Sequence, residues 1–68
     1  MTYSYNKLWK LLIDNNMKKK DLMEKANLTS TTIAKMDKSE PVSLEALARI
    51  CVAMNCNIGD IVDILIDA

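Results

Sequence analysis

Apolar residues recur at three- and four-residue spacings through most of the chain, and the breaks between these runs divide it into short helices. Leu8, Leu11 and Leu12, with Trp9 beside them, place a first helix over Asn6 to Asn15, with Ser4 available as a cap and Asn15-Asn16 as its stop. A second helix, from about Lys18 to Ala26, carries a stripe of Leu22, Met23 and Ala26 and turns Lys20, Asp21, Glu24 and Lys25 to water. Asn27 breaks it. Asparagine takes the left-handed conformation at less strain than any residue but glycine, so Asn27-Leu28-Thr29 reverses the chain tightly with Leu28 turned inward. Thr29 or Ser30 caps a third helix that ends at Met36 or Asp37, and Lys38-Ser39-Glu40-Pro41 closes it. Ser43 caps a fourth, whose buried stripe is expected to be Leu44, Leu47, Ala48, Cys51 and Met54. A second row, Ala46, Ile50 and Ala53, marks it as the central helix of a small bundle, ended by Asn55-Cys56-Asn57. The tail, IGDIVDILIDA, holds Ile58, Ile61, Val62, Ile64, Leu65 and Ile66. So small a chain has too little core for all six, and some are expected to face a second subunit.

The third helix has two unlike sides. At roughly 100° per residue, Ser30, Thr31, Ala34, Lys35 and Lys38 share one arc, while Thr29, Ile33 and Met36 lie opposite. A small, polar ridge backed by apolar residues, one tight turn after another helix, has the shape that enters a DNA major groove. Net charge at first argues against a polyanion partner, because nine basic residues balance nine acidic ones. The balance hides a division along the chain. Residues 1 to 38 hold eight lysines against Asp14, Asp21, Glu24 and Asp37, whereas Arg49 faces Glu40, Glu45, Asp60, Asp63 and Asp67 in the remainder. The two-helix unit lies in the basic part.

Other chemistry is poorly supported. Cys51 and Cys56 are the two cysteines, histidine is absent, and a five-residue separation fits neither paired zinc ligands nor a CxxC redox motif. Cys51 is expected in the core of the fourth helix and Cys56 in the next loop as a free thiol, with no metal and no cofactor. No serine stands in a nucleophile elbow and no glycine-rich loop could cradle phosphate, so the chain is not expected to be an enzyme or to take a small-molecule substrate. Asp60 and Asp63, one helical turn apart, read as solvent-facing residues near a helix start. Trp9 reads as core packing, because no other aromatic residue lies among the lysines to build a stacking platform. MTYSYNKLW lacks a signal-peptide core and no segment reaches the roughly 20 apolar residues of a membrane span, which points to the cytoplasm and to no membrane partner.

Three stretches, YNKLWKLLID, MKKKDLMEKANLTSTTIAKM and VSLEALARICVAMNCNIGDIV, with the apolar pattern Leu22, Ala26, Leu28, Ile33 and Met36, resemble the Cro and lambdoid-repressor-like helix-turn-helix regulators, the Xre family, and within it a short single-domain bacterial group. The resemblance covers nearly the whole chain. It implies an all-α, compact five-helix bundle, residues 1–68 forming one DNA-binding domain, with helix three in the major groove and helix two across the phosphate backbone. Lys19 matches a position that contacts phosphate. Ser30, Thr31 and Lys35 match positions that read base edges, and Ala34 between them is placed to touch a thymine methyl. Lys18, Lys20, Lys38 and Thr29 complete the phosphate-binding set. Met23 stands where the family usually has alanine, and Asn27 and Ser39 stand where glycine is frequent. With Lys35 the one charge facing bases inside the groove, and no Arg, Gln or Asn beside it, discrimination by one subunit is expected to be modest.

These features together predict a repressor that binds duplex DNA as a homodimer, with Ile58, Ile61, Val62 and Leu65 at the dimer interface. The alternative is a protein-interaction module, antitoxin-like or binding an anti-repressor, in which the acidic and apolar second half carries the function and the helix pair is scaffold.

Overall fold

The computed structural model describes residues 1–66. Its elements in order are β1 (Thr2–Ser4), α1 (Asn6–Asp14), α2 (Lys19–Lys25), α3 (Ser30–Asp37), α4 (Leu44–Met54), one 3-10 turn (Ile58–Asp60) and β2 (Asp63–Leu65). The helices fall where the spacing of apolar residues puts them. Each is bounded by local chemistry visible in the sequence. Thr29 and Ser43 take extended backbone and accept hydrogen bonds from the N–H groups of Thr32 (3.2 Å) and Ala46 (3.1 Å), satisfying donors that the first helical turn leaves unpaired. At the start of α2 the Lys18 N–H donates to the Asp21 carboxylate at 2.9 Å. Asn15 stops α1 by folding its side-chain amide back onto the Leu11 carbonyl, 2.8 Å away. Asn16, Asn27, Ser39 and Asn55 then reverse the chain in the left-handed region, each with φ between 52° and 58°. Three of these four are asparagines, the residue that bears this conformation best after glycine.

Every helix sends at least one side chain to a common core. Leu8 and Leu12 come from α1, Leu22 from α2, Met36 from α3 and Ile50 from α4, joined by Tyr5, Ala26 and Ile61. Both rows expected on α4 reach the core: Ala46 and Ile50 are buried, and Ala53, Leu47, Cys51 and Met54 are half-buried against it. Leu44 and Ala48 depart from the expected stripe, Leu44 being 71% exposed and Ala48 facing water.

The five-helix, all-α expectation is corrected at the tail. No fifth helix forms among the described residues; after the 3-10 turn the chain extends as β2 and pairs antiparallel with β1, with Thr2 opposite Leu65, Tyr3 opposite Ile64 and Ser4 opposite Asp63. Isoleucine and valine dominate this segment, and their branched Cβ atoms favour extended backbone over helix. Asp60 and Asp63 accordingly do not share a helix face. Asp60 accepts the Asn57 N–H at 2.9 Å within the 3-10 turn, and Asp63 forms an ion pair with Lys7 at 3.1 Å.

Candidate nucleic-acid interface

The α2–turn–α3 unit is tight because its reversal is closed on both sides. Within it the Leu28 N–H donates to the Met23 carbonyl at 2.8 Å. From α4, Arg49 reaches the Asn27 carbonyl at 3.3 Å while also pairing with Glu45 at 3.2 Å. Asn27 has φ 54°, so it performs the turn that glycine makes in many members of the resembled family. Met23, which stands where alanine is usual, is half-buried.

The outer face of α3 is the polar ridge read from the sequence. Ser30, Thr31, Ala34, Lys35 and Lys38 are all exposed, Ile33 is half-buried and Met36 is fully enclosed behind them. Thr29 is exposed as the cap, its oxygen also 3.1 Å from the Thr32 hydroxyl. Lys18, Lys19 and Lys20 are exposed at the start of α2. Among the described residues Lys18, Lys20, Lys35 and Lys38 have no ion-pair partner, so four cations surround the ridge uncompensated. Lys19 differs. Its ammonium bonds the Asp37 carboxylate and lies 4.4 Å from the centre of the Trp9 ring. Trp9 therefore packs on the core with one face and takes a cation on its ring, which occupies it against base stacking.

Three supporting residues escaped sequence reasoning: Asp37, Arg49 and Tyr5. Tyr5 is buried, and its hydroxyl donates to the Glu40 carbonyl at 2.7 Å, tying the segment after α3 to the start of α1. Burial pushes the Tyr5 phenol above its ordinary pKa, with the backbone at Val42 opposing the shift. Asp37 alone left a trace in the sequence, as a carboxylate at the end of a helix whose dipole disfavours it.

The expected interface residues divide in two. Ile58 and Leu65 are exposed and Val62 is half-buried, but Ile61 is wholly enclosed within its own chain. Beside the exposed ones lies an apolar groove of about 330 Å³ bordered by Tyr3, Val42, Leu47, Ile58, Val62 and Ile64. Cys51 and Cys56 are free thiols, both half-buried, and burial, ahead of the neighbouring Cys51 and Asp60, raises the Cys56 pKa. Among the described residues no group of three His, Cys, Asp or Glu could hold a metal ion, and no helix is long and apolar enough to cross a membrane.

A closed two-helix turn presenting a polar ridge, ringed by unpaired lysines, defines a helix-turn-helix DNA-binding protein. The family model for the Cro/C1-type HTH DNA-binding domain matches residues 7–65, and the chain belongs to that family. The crystal structure of the transcriptional regulator VanUg, form II, superposes on it with a TM-score of 0.92 at 50% sequence identity, covering 97% of this chain and 88% of that one. A search of curated proteins returned no match.

Proposed function

We propose that the protein is a cytoplasmic transcriptional repressor, residues 1–68 acting as one domain, that binds near-palindromic operator DNA as a symmetric dimer and blocks a promoter by occupying it. The observation that carries this reading is the rigid ridge on α3, whose exposed residues are small or flexible enough to let the helix approach base edges. Lys35 is the strongest base reader, suited to a guanine edge; Ser30 and Thr31 offer hydroxyls, and Ala34 a methyl for thymine. Lys18, Lys20 and Lys38 neutralise phosphates, and Thr29 can donate its hydroxyl when Thr32 supplies the hydrogen bond to its oxygen. Lys19 joins this set only where Asp37 releases it.

With three lysine–phosphate contacts per subunit, a dimer neutralises about six phosphates, and the logarithm of affinity falls with the logarithm of salt at a slope near −5. Pairing of subunits through Ile58, Val62 and Leu65, with Ile61 supporting them from the core, sets the two ridges one helical turn of DNA apart, about 34 Å. Selection of bound duplexes from a random pool tests the whole reading. A two-fold symmetric consensus is expected. Absence of binding to any duplex at low salt overturns the DNA reading, and a consensus without symmetry overturns the dimer.

A further inference from the structure

We propose that Asp37 is a positioning residue that holds the Lys19 ammonium against Trp9 and off the DNA backbone, setting how strongly the protein binds every duplex. The inference rests on the DNA-binding reading above. Lys19 is the first residue of α2 and Asp37 the last of α3, and their side chains meet, with the lysine nitrogen 4.4 Å from the Trp9 ring centre. Each charge sits at the end of its helix that the dipole disfavours: a cation at an N-terminus and a carboxylate at a C-terminus. Neither is placed for the benefit of its own helix, and the contact between them accounts for both. An exposed ion pair alone holds weakly, and here the ring adds a second attraction from the other side of the ammonium. Lys18, Lys20, Lys35 and Lys38 carry no such restraint among the described residues. The field around α3 is consequently one cation per subunit weaker than the lysine run suggests.

Lysine–phosphate contacts carry no sequence information, so a withheld Lys19 lowers affinity for all duplexes alike and leaves base preference untouched. Asp37→Asn keeps the shape of the side chain and frees the ammonium. Equilibrium binding to a random-sequence duplex and to a selected one, measured over a series of salt concentrations, then separates the cases. For Asp37→Asn the expected result is binding tighter by roughly tenfold per subunit at low salt, equal for both duplexes, with the salt slope steeper by about 0.9 per subunit. Lys19→Met in the wild-type background should leave the slope unchanged, because that cation is not spent on phosphate. Combining the two substitutions should return the slope to the wild-type value.

Proton spectra supply an independent signature. The Lys19 side-chain methylene signals, shifted by the indole ring current, should stay shifted when duplex is added to the wild type and lose the shift when it is added to Asp37→Asn. A wild-type slope that falls on Lys19→Met, a slope that Asp37→Asn leaves unmoved, or weaker binding by an Asp37→Asn protein whose urea unfolding is normal would each overturn the proposal. A gain confined to the selected duplex would also overturn it, since Asp37 would then be acting at the bases. If the wild type binds no duplex at all, the DNA reading falls first and this inference falls with it.

Discussion

Ile61→Ala separates core from interface at the one proposed interface residue that the structure encloses within its own chain. Ile61 has 0% exposure and packs with Leu8, Leu22, Met36 and Ile50, so truncation leaves a cavity that its neighbours can fill only in part. Removing a buried isoleucine to alanine costs about 2–5 kcal/mol. The whole domain, at about 0.05–0.15 kcal/mol per residue, has roughly 3–10 kcal/mol in total. An unfolding entropy near 2.1 cal/mol/K per residue gives about 0.14 kcal/mol/K for this chain, so a loss of 3 kcal/mol lowers Tm by about 20 °C. Urea unfolding at two protein concentrations is the assay. The variant's midpoint should drop by the same amount at both concentrations, because the lost packing lies within one chain. A midpoint unchanged at high concentration, with a monomer appearing on dilution, would refute the placement and return Ile61 to the interface.

Lys35→Ala should cost about 1–3 kcal/mol on the preferred duplex and relax preference at one or two base pairs, and equal losses across all operator variants would contradict its reading role. Leu65→Glu changes a side chain 51% exposed and should yield a folded monomer on sedimentation, whereas an intact dimer would place the interface elsewhere. Tyr5→Phe should lose about 0.5–1.5 kcal/mol at neutral pH through the missing bond to Glu40. Because the folded state holds the Tyr5 proton above the ordinary pKa of 10.0, the unfolded chain ionises first; wild-type stability is full below pH 10.0 and falls as pH rises through the folded value. The wild-type advantage over Tyr5→Phe should therefore shrink in unfolding experiments above about pH 10.

The helices were legible because each rests on a signal confined to a few neighbouring residues: a cap at Thr29 or Ser43, a left-handed Asn27, a stripe such as Leu8 with Leu12. The sheet was not, because β1 and β2 lie at opposite ends of the chain and neither TYS nor DIL is a strand until the other lies beside it. Apolar spacing at Ile58, Ile61, Val62 and Leu65 fits a helix as well as it fits one 3-10 turn followed by extended chain. Leu44 misled for a different reason: it is the first residue of α4 and points to solvent, while Ala46 and Leu47 in the same turn reach the core. The ridge on α3 was legible because its backing residues, Ile33 and Met36, lie on the same short helix. The Lys19–Asp37 contact spans two helices and the turn between them, and the lysine run showed only that charge was present.

The arrangement of charge bears on why the proposed function calls for a second subunit. Among the described residues Lys7 is paired with Asp63 and Lys19 with Asp37, which leaves six lysines unpaired, Lys10, Lys25 and the four around α3 and the start of α2, to attract a polyanion in a chain of zero net charge. At physiological salt, charges interact over only about 8 Å, so those four decide the electrostatics at the ridge and the overall balance matters little. The three phosphate contacts and one cationic base reader of the proposed function would give a single subunit little hold and little choice. Each wrong base pair costs about 1–3 kcal/mol, and the costs add across well-separated positions. Two ridges reading both halves of a site double the number of positions that count, and they double the salt exponent as well. On the proposed reading, weak recognition by each α3 and dimerisation through the apolar tail are thus one requirement: the exposed Ile58 and Leu65 would supply the multiplicity that a ridge with Lys35 as its one cationic base reader lacks.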